Sequence, residues 1–463
     1  IESKIDVIKE SKLGKTMKDS WLGLTTDYQG GLWLCSFNNG VMYYNSKSAI
    51  SSIYKNNMTD TDANSFRSIM NYDNHHIYAL SFNGLYLFNR LTHSYVNVGG
   101  LLSNIKGKSM IKDSKGNLWI SAYQQGLYCY NPRSGAVSHY GMEITKEGTD
   151  FSFCEEIGNG IYLVCHDKNR LALFYPSINK YHLISDKFPK LYDYRYMVCA
   201  CKISSGYLIG TQNGLFFYNV HNDSVDFNRF AIINNNRYSN KCNCIITDRA
   251  GRIWVGTQNG LLCYDENRHY LKRYSSADGL PNSCIQSLAE DKYGNMWITT
   301  TNGMAKMSFT GGLLHILVLD KQDGIYESNF HERSFCFVNE MLYFGTTNGI
   351  YEVNPSKVKF PRTRLSPCIT NIFMHRSETT LNGLENMKDI TDRLTIDHEI
   401  HLKYDENFIT IGISALNYLF PSHTVYRYQL EGIDKHPINL GGKDGKISVS
   451  YTSLPPGNYR FVV

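Results

Sequence analysis

A motif that recurs roughly every 44 residues constrains the fold of this 463-residue chain more than any other feature. It begins with Asp-x-x-Gly-x-x-Trp and continues to an Asn-Gly pair before an apolar residue. The clearest copies span residues 248–261 and 291–304, a third spans 113–127, and an eroded copy at about 155–175 lacks the Asn-Gly pair. Seven copies carry the hairpin glycine: Gly40, Gly84, Gly126, Gly214, Gly260, Gly303 and Gly349. With the eroded copy they make eight units.

Each unit has the pattern of four short antiparallel strands. The Asp-x-x-Gly segment predicts a turn, because glycine tolerates positive φ and the aspartate side chain bonds nearby backbone amides. An apolar strand centred on Trp follows, and Asn-Gly then closes a two-residue hairpin. Further strands, such as residues 261–264 and 271–274, complete the sheet. Four strands per period indicate a propeller blade, so we predict an all-β fold in which the repeated Trp packs between blades.

The number of blades remains open at this level. The last unit ends at Asn354-Pro355 without an obvious fourth strand, and the opening segment Ile5-Asp-Val-Ile8 could supply it. That closure predicts eight four-stranded blades. The alternative is a seven-bladed ring, with the first unit left over from a preceding propeller.

The period is lost from about Phe360, and alternating strands separated by turns follow. Residues 399–404, 408–413 and 425–434 read as three of them, and Leu454-Pro-Pro-Gly457 predicts a rigid turn before another. This pattern is typical of an immunoglobulin-like or fibronectin-like sandwich. We therefore predict a propeller over 1–359 and a sandwich over 360–463. Because the chain stops within a predicted strand, we expect it to be an excised fragment.

Composition excludes some classes of function and leaves others open. The net charge of +5 suits an anionic ligand but is too small to predict nucleic-acid binding. No apolar run approaches the ~20 residues that span a bilayer. The twelve cysteines form no CxxC pair, and most are predicted to be buried thiols. Cys199 and Cys201, like Cys242 and Cys244, have a spacing that predicts side chains on one face of a strand.

Few residues suggest catalysis. His398 and His401 would have metal-binding spacing on a helix, but the segment reads as a strand, where they point to opposite faces. The sequence contains no Gly-x-Ser-x-Gly elbow and no phosphate loop. A pair of carboxylates at the propeller centre could serve a lyase or glycosidase, yet no pair stands out. We predict no catalytic residue, metal or cofactor; the competing functions are a propeller polysaccharide lyase or glycosidase and a protein-interaction scaffold.

The motifs resemble a known combination of domains. Asp-x-x-Gly-x-x-Trp-x-x-Thr-x-x-Gly-Leu resembles the two-component regulator propeller repeat. Residues 428–434 and 451–459, which contain Tyr428, Tyr451 and Tyr459, resemble the triple-tyrosine domain. The stretch from Asp278-Gly-Leu-Pro281 to Asn354-Pro355 is similar to the last two blades before that domain. This order occurs in the ectodomains of hybrid two-component sensors that control polysaccharide utilisation.

The resemblance implies a function for the chain and a place for it in the cell. It implies the periplasmic part of an inner-membrane receptor that binds an oligosaccharide, with the membrane tether and the histidine kinase outside this chain. It also implies a homodimer through the sandwich, and no direct contact with nucleic acid. The sequence departs from the family in two respects. Members usually carry two seven-bladed propellers, whereas eight units are visible here, and Lys435-His436 follows Asp434 where an aromatic residue often stands.

A ligand is predicted at the rim where the innermost strands begin, because the loops entering these strands share that rim with the second hairpins. Aligning the units places Phe66, Lys106, Phe153, Arg195, Lys241, Cys284 and His331 just before the innermost strands. Lysine and arginine in this ring would favour an acidic or sulfated oligosaccharide. Tyrosines on the same rim, Tyr196 among them, would stack on sugar rings. The predicted ligand-binding residues are Lys106, Tyr123, Lys168, Arg170, Tyr194, Arg195, Lys241 and His331.

Overall fold

The computed structural model is almost entirely β. It describes residues 21–37, 40–44, 51–56, 60–141, 150–166, 170–194, 196–204, 206–227, 241–310, 313–319, 325, 329–358, 365–375, 387–395, 398–418, 421, 424–441 and 445–463. These residues fall into two compact units. One lies within Ala49–Lys359, and the other combines parts of Ile1–Ser48 and Phe360–Val463.

The first unit contains seven four-stranded antiparallel sheets. Blade 1 consists of β5 (Phe66–Asn71), β6 (His76–Ser81), β7 (Gly84–Asn89) and β8 (Ser94–Asn97). Blade 2 consists of β9 (Gly107–Lys112), β10 (Leu118–Ala122), β11 (Gly126–Tyr130) and β12 (Val137–Tyr140). Blade 3 consists of β13 (Phe151–Gly158), β14 (Ile161–His166), β15 (Arg170–Tyr175) and β16 (Lys180–Leu183). Blade 4 consists of β17 (Met197–Ile203), β18 (Gly206–Thr211), β19 (Gly214–Asn219) and β20 (Ser224–Asp226).

The remaining three blades follow the same order. Blade 5 consists of β21 (Cys242–Thr247), β22 (Ile253–Thr257), β23 (Gly260–Tyr264) and β24 (Tyr270–Tyr274). Blade 6 consists of β25 (Ile285–Glu290), β26 (Met296–Thr300), β27 (Gly303–Thr310) and β28 (Leu313–Leu319). Blade 7 consists of β29 (Phe330–Val338), β30 (Met341–Thr346), β31 (Gly349–Val353) and β4 (Ser51–Tyr54). Short helical turns lie at Thr61–Asn64, Gly100–Leu102, Pro176–Ile178, Ile184–Lys187, Pro189–Asp193 and Ser276–Asp278.

The first strand of each blade lies at the centre of a closed ring. Each of β5, β9, β13, β17, β21 and β25 contacts the first strand of the next blade, and β29 contacts β5. Blade 7 is completed by β4 from the start of the unit, which pairs Tyr54 with Ile350 and Ser51 with Val353. Of the two alternatives left open by the sequence, the described sheets therefore match the seven-bladed ring.

The strand that closes the ring differs from the one considered above. Residues 5–8 lie outside the described part of the chain, and residues 51–54 take the closing position. The compact unit accordingly begins at Ala49 rather than at residue 1. The first repeat forms a separate three-stranded sheet of β1 (Trp21–Thr26), β2 (Leu32–Ser36) and β3 (Gly40–Tyr44).

The repeated aspartate holds both its turn and the tryptophan. In blade 6, one carboxylate oxygen of Asp291 accepts the backbone N–H groups of Tyr293 and Asn295, and the other accepts the indole N–H of Trp297 at 2.9 Å. Asp248 binds Trp254 in the same way, at 2.8 Å. Both indoles are at most 1% exposed, and they pack in the apolar clusters of the blades. The predicted structural role of the motif is thereby confirmed.

A buried hydroxyl holds the second hairpin in five blades. In blade 6, the Thr300 hydroxyl accepts the N–H of Asn302 at 3.1 Å and donates to the carbonyl of Gly303 at 3.0 Å. The two loop residues are Thr301 and Asn302, and Gly303 already pairs with Thr300 at φ 104°. Glycine is favoured here because other residues rarely adopt this φ. The hydroxyls in the equivalent positions belong to Ser81, Thr211, Thr257 and Thr346.

A bulge reverses one predicted pair of cysteine directions. Cys242 packs with the cluster shared by blades 4 and 5, whereas Cys244 packs with the cluster shared by blades 5 and 6. The cause is a register shift at Asn243, because one extra residue changes the side to which the next side chain points. All twelve cysteines are free, and seven of them are buried. Burial raises the pKa of the Cys199 thiol to about 12, so this cysteine behaves as a small apolar residue.

The C-terminal module consists of two sheets. The first has the strand order β33 (Met387–Asp389), β32 (Cys368–His375), β34 (Ile409–Ser414) and β37 (Lys446–Tyr451). The second has the order β36 (Ile438–Gly441), β35 (Val425–Glu431) and β38 (Arg460–Val462). Residues 399–404, predicted as a strand, are irregular, and a short helical turn lies at Thr391–Arg393. Buried tyrosines join the sheets: Tyr428 lies in the core, and the hydroxyl of Tyr451 donates to Asp434 at 2.8 Å.

Replacing Thr300 with valine should destabilise the propeller. The variant keeps the shape of the side chain but removes the hydroxyl that bridges the hairpin, and an unpaired buried backbone group costs about 1–3 kcal/mol. We expect a lower urea midpoint for loss of tryptophan fluorescence. Thr300→Ser, which keeps the hydroxyl, should remain close to the parent; equal midpoints for the two variants would show that the hydroxyl is not what holds this hairpin.

Candidate ligand-binding site

The innermost strands all begin at the same end of the ring, which we call the entry rim. In each blade the first residue of the innermost strand pairs with the last residue of the second strand, as Phe66 does with Ser81 and Cys242 with Thr257. The hairpins between the second and third strands therefore lie on this rim too. Loops from the seven blades meet there, as predicted.

Backbone hydrogen bonds identify the residue that enters each innermost strand. The N–H of Tyr123 donates to the carbonyl of Lys106 at 2.7 Å, and the N–H of Gln258 donates to that of Lys241 at 3.1 Å. Strand pairing gives the equivalent position in the other blades. The seven entry residues are Ser65, Lys106, Asp150, Tyr196, Lys241, Cys284 and Asn329.

This set differs from the predicted ring at four positions. Ser65 replaces Phe66, Asp150 replaces Phe153, Tyr196 replaces Arg195, and Asn329 replaces His331. The physical reason is that bulges and unequal strand lengths shift the landmarks by one to three residues between blades. Only Lys106 and Lys241 carry a positive charge in the corrected ring, and Asp150 carries a negative one.

The second residue of the innermost strand is bulged in six blades, because the pairing register shifts across it. A bulge leaves a residue out of the ladder and redirects its side chain. The bulged residues are Arg67, Lys108, Ser152, Val198, Asn243 and Gln286. In blade 7 the break in the ladder extends from His331 to Ser334. Apart from Val198, these bulged residues form a second layer of polar side chains just below the entry residues.

Side chains of blades 1 to 3 form a continuous aromatic and charged surface, which we call the entry platform: Arg67, Phe82, Lys108, Tyr123 and Asp150. The rings of Phe82 and Tyr123 are 6.3 Å apart. The Arg67 guanidinium lies 4.1 Å from the Phe82 ring centre, and the Lys108 ammonium lies 5.1 Å from that of Tyr123. Lys108 also donates to Asp150 at 2.5 Å. Tyr123 is 38% exposed, so its ring remains available to a ligand.

The sequence predicted that Lys241 and His331 would carry free positive charges, but neither does. Lys241, at the entry of blade 5, donates to Glu332 on blade 7 at 2.6 Å, so the ion pair joins two blades that are not neighbours in the ring. His331 accepts or donates one hydrogen bond with Ser65 at 2.9 Å. Burial, reinforced by the charge of Arg67, lowers the pKa of His331 to about 4. The imidazole is therefore neutral at pH 7 and adds no charge to the rim.

The other predicted residues have different surroundings. Lys106 is exposed, and Arg170 begins β15 opposite His166. Tyr194 stacks on Phe227 at 5.3 Å within the packed edge of blade 4. Its neighbour Tyr196 is 44% exposed. Lys168 and Arg195 lie outside the described residues, so their role stays a prediction.

Several residues near the rim were missed, and four of them lie in bulges, which cannot be read from strand periodicity. One signal was available: the run His331-Glu-Arg-Ser334 is polar inside an otherwise apolar strand. The missed residues are Arg67, Phe82, Lys108, Asp150, Glu332 and Arg333.

No metal site or membrane helix emerges from the part of the chain that the structure describes. Within it, no three His, Cys, Asp or Glu side chains are grouped so as to hold a metal ion. No helix among these residues is long and apolar enough to cross a bilayer. His398 lies in a bend at φ 62°, not in the predicted strand.

We expect the His331 imidazole to stay neutral above pH 5. The unfolded chain protonates this residue near pH 6.5, whereas the folded chain does so near 4, so the residue's contribution to stability falls as the pH drops through this interval. An NMR titration of the imidazole checks the first statement. The stability of the protein relative to His331→Gln should decrease between pH 6.5 and 4; a histidine that titrates near pH 6.5 contradicts both.

Comparisons with known proteins match parts of both compact units. Residues 417–463 match the Y_Y_Y domain, and residues 235–259 and 279–302 match the two component regulator propeller. Histidine kinase P4 of Formosa agariphila is 21% identical over 187 residues, which make up 40% of this chain and 13% of that kinase.

Solved structures share the fold. The extracellular domain of a hybrid two-component system from B. thetaiotaomicron has a TM-score of 0.68 and 21% identity, over 96% of this chain and 58% of that one. Virginiamycin B lyase from Staphylococcus aureus has a TM-score of 0.50 and 12% identity, over 66% of this chain and 98% of that one. The chain contains two-component regulator propeller repeats and a Y_Y_Y domain, and its fold is similar to that of the extracellular domain of a hybrid two-component system.

Proposed function

We propose that this chain is the ligand-sensing part of a transmembrane hybrid two-component receptor and that its propeller binds oligosaccharides. The entry platform is the observation that carries the proposal. Two aromatic rings on neighbouring hairpins, Phe82 and Tyr123, lie beside one another at the rim. Three charged side chains from the adjoining innermost strands and loop surround them.

This arrangement suits a sugar chain. The faces of aromatic rings pack against the C–H faces of pyranose rings, while charged groups at the edges hydrogen-bond the hydroxyls. The separation of 6.3 Å between the two rings lets one oligosaccharide contact both hairpins. Lys108 and Asp150 form an ion pair with one donor and one acceptor group, so together they can bind both kinds of hydroxyl partner.

The proposal treats the chain as a binding module rather than an enzyme. The carboxylate of Asp150 accepts from Lys108 at 2.5 Å, and that of Glu332 accepts from Lys241 at 2.6 Å. These two carboxylates are therefore not free to act as the general acid and general base of a glycosidase. The likeness to a propeller lyase concerns the fold, and folds of this kind host many unrelated functions.

The C-terminal sandwich would transmit the signal. We propose that it lies near the membrane in the periplasm and forms a homodimer, with the tether and kinase elsewhere in the receptor. The strand β36 is exposed along its whole length, and Ile438, Leu440 and the neighbouring Val425 present apolar side chains to solvent. Transmission requires that the ligand bind one arrangement of the receptor more tightly than another.

Replacing Tyr123 with alanine should weaken oligosaccharide binding at least tenfold, or about 1.4 kcal/mol, because the exposed ring supplies the stacking surface. The measurement is isothermal titration of the 463-residue chain against a panel of acidic and neutral oligosaccharides, with the sugars checked for cleavage afterwards. Tyr293→Ala removes a tyrosine that is 65% exposed on a turn at the opposite rim and should leave affinity unchanged. Equal losses in the two variants would contradict the platform, and cleavage would favour a lyase or glycosidase.

A further inference from the structure

The innermost strand of blade 7 departs from the other six. Its ladder pairs Phe330 with Thr346 and then Phe335 with Phe344, so four residues oppose Gly345 alone. In each other blade a single extra residue is bulged at this level. A Cβ atom on Gly345 would lie 2.1 Å from the carbonyl oxygen of Phe66 and from the hydroxyl of Ser334. The fold therefore requires glycine at this position in order to accommodate the longer bulge.

The bulge contains three consecutive ionisable residues, His331, Glu332 and Arg333. Arg333 has φ 61°, a conformation that is unfavourable for a residue with a long side chain. Strained residues of this kind persist where the surrounding structure fixes them, and they cluster at binding sites.

Arg333 lies near the propeller axis. Its charge opposes the rise in the pKa of Glu155 on blade 3 and that of Cys199 on blade 4. This agrees with its place in the innermost strand of blade 7, whose neighbours His331 and Ser334 hydrogen-bond Ser65 and Phe66 at the start of β5. A second arginine, Arg67, lies on the adjacent strand β5, and its charge helps to lower the pKa of His331. Both arginines thus approach the central channel from the same side of the ring.

These two guanidinium groups have no anionic partner that hydrogen-bonds them within the described chain. The Nε atoms of Arg67 and Arg333 are buried and have no hydrogen-bond partner among these residues. The acidic groups whose charges act on them are Glu332 and Asp62 for Arg67 and Glu155 for Arg333, and none of these hydrogen-bonds either guanidinium. Glu332 accepts from Lys241 instead. Both side chains are half-buried, and a buried hydrogen-bond donor without a partner is costly. Two guanidinium groups without a bonded carboxylate therefore favour an anionic ligand.

We propose that Arg67 and Arg333 form an axial site for an oxyanion, namely a carboxylate or a sulfate. A guanidinium binds such groups through two parallel N–H bonds, and the geometry is the same whether the group is a free ion or a substituent of a sugar. Arg67 also stacks on Phe82, so it links the axial site to the entry platform. The assignment to a glycan rests on the proposed function, whereas the anion site itself does not.

The test is isothermal titration of the 463-residue chain with sodium sulfate at constant ionic strength and pH 7. We expect saturable binding that weakens at least tenfold in Arg333→Gln and in Arg67→Gln. Arg133→Gln, which removes an exposed arginine from a turn in blade 2, should bind as the parent does. Circular dichroism establishes that each variant is folded.

Sulfated and unsulfated forms of the same oligosaccharide then distinguish the two sources of the anion. Tighter binding of the sulfated form, lost in Arg333→Gln, supports a glycan as the source. Sulfate binding without glycan binding leaves the axial site standing and removes the proposed function. Equal affinity for the sulfated and unsulfated oligosaccharide, together with no saturable binding of sulfate, leaves the proposed function standing and overturns the axial site. Equal sulfate affinity in Arg133→Gln and Arg333→Gln also overturns it.

Discussion

Pairing between β4 and β31 joins the start of the propeller unit to its end, and the other blade interfaces depend on that closure. Ser51–Tyr54 supplies the outer strand of blade 7, so this blade has four strands like the others. The seam is also apolar: Phe66 and Phe88 of blade 1 share a buried cluster with Tyr343 and Ile350 of blade 7. Closure leaves only the short outer edge of each blade unpaired. It also places β5 and β29 side by side, which brings Arg67 and the blade 7 bulge together.

Inside each blade, buried polar groups hold the turns in place. The carboxylate of Asp291 fixes one turn and the Trp297 indole, and the Thr300 hydroxyl fixes the hairpin at the other rim. Both groups are completely buried and fully bonded, so substitutions there leave unpaired polar atoms. The rim loops can vary in sequence because these bonds, rather than the loop residues, hold the strands.

Charge at the centre of the ring is divided between paired and unpaired groups. Lys108 and Lys241 have carboxylate partners, whereas Arg67 and Arg333 have none within hydrogen-bonding distance in the described chain. The paired lysines leave little free charge at the rim itself. In the proposed axial site, the guanidinium groups lie one layer deeper than sequence alignment of the units suggested. An acidic ligand would be attracted to the axis, while its sugar rings would pack on the aromatic hairpins above.

The sequence by itself determined the repeat, the strand order within a blade and the structural role of the Asp–Trp motif. These features are local, since the turn, strand and hairpin of one unit lie within about 44 residues and bond to one another. It also determined the domain types, because Tyr428 and Tyr451 occur in a recognisable pattern.

Only the tertiary structure decided the seven-bladed closure, the neutral state of His331 and the positions of Arg67 and Arg333. Closure pairs residues some 300 positions apart, and nothing local distinguishes residues 51–54 from other short strands. The pKa of His331 depends on burial and on Arg67, which is distant in sequence. A bulge moves a side chain from one face to another without changing the strand pattern, so the charges at the axis become visible only when the seven strands are assembled.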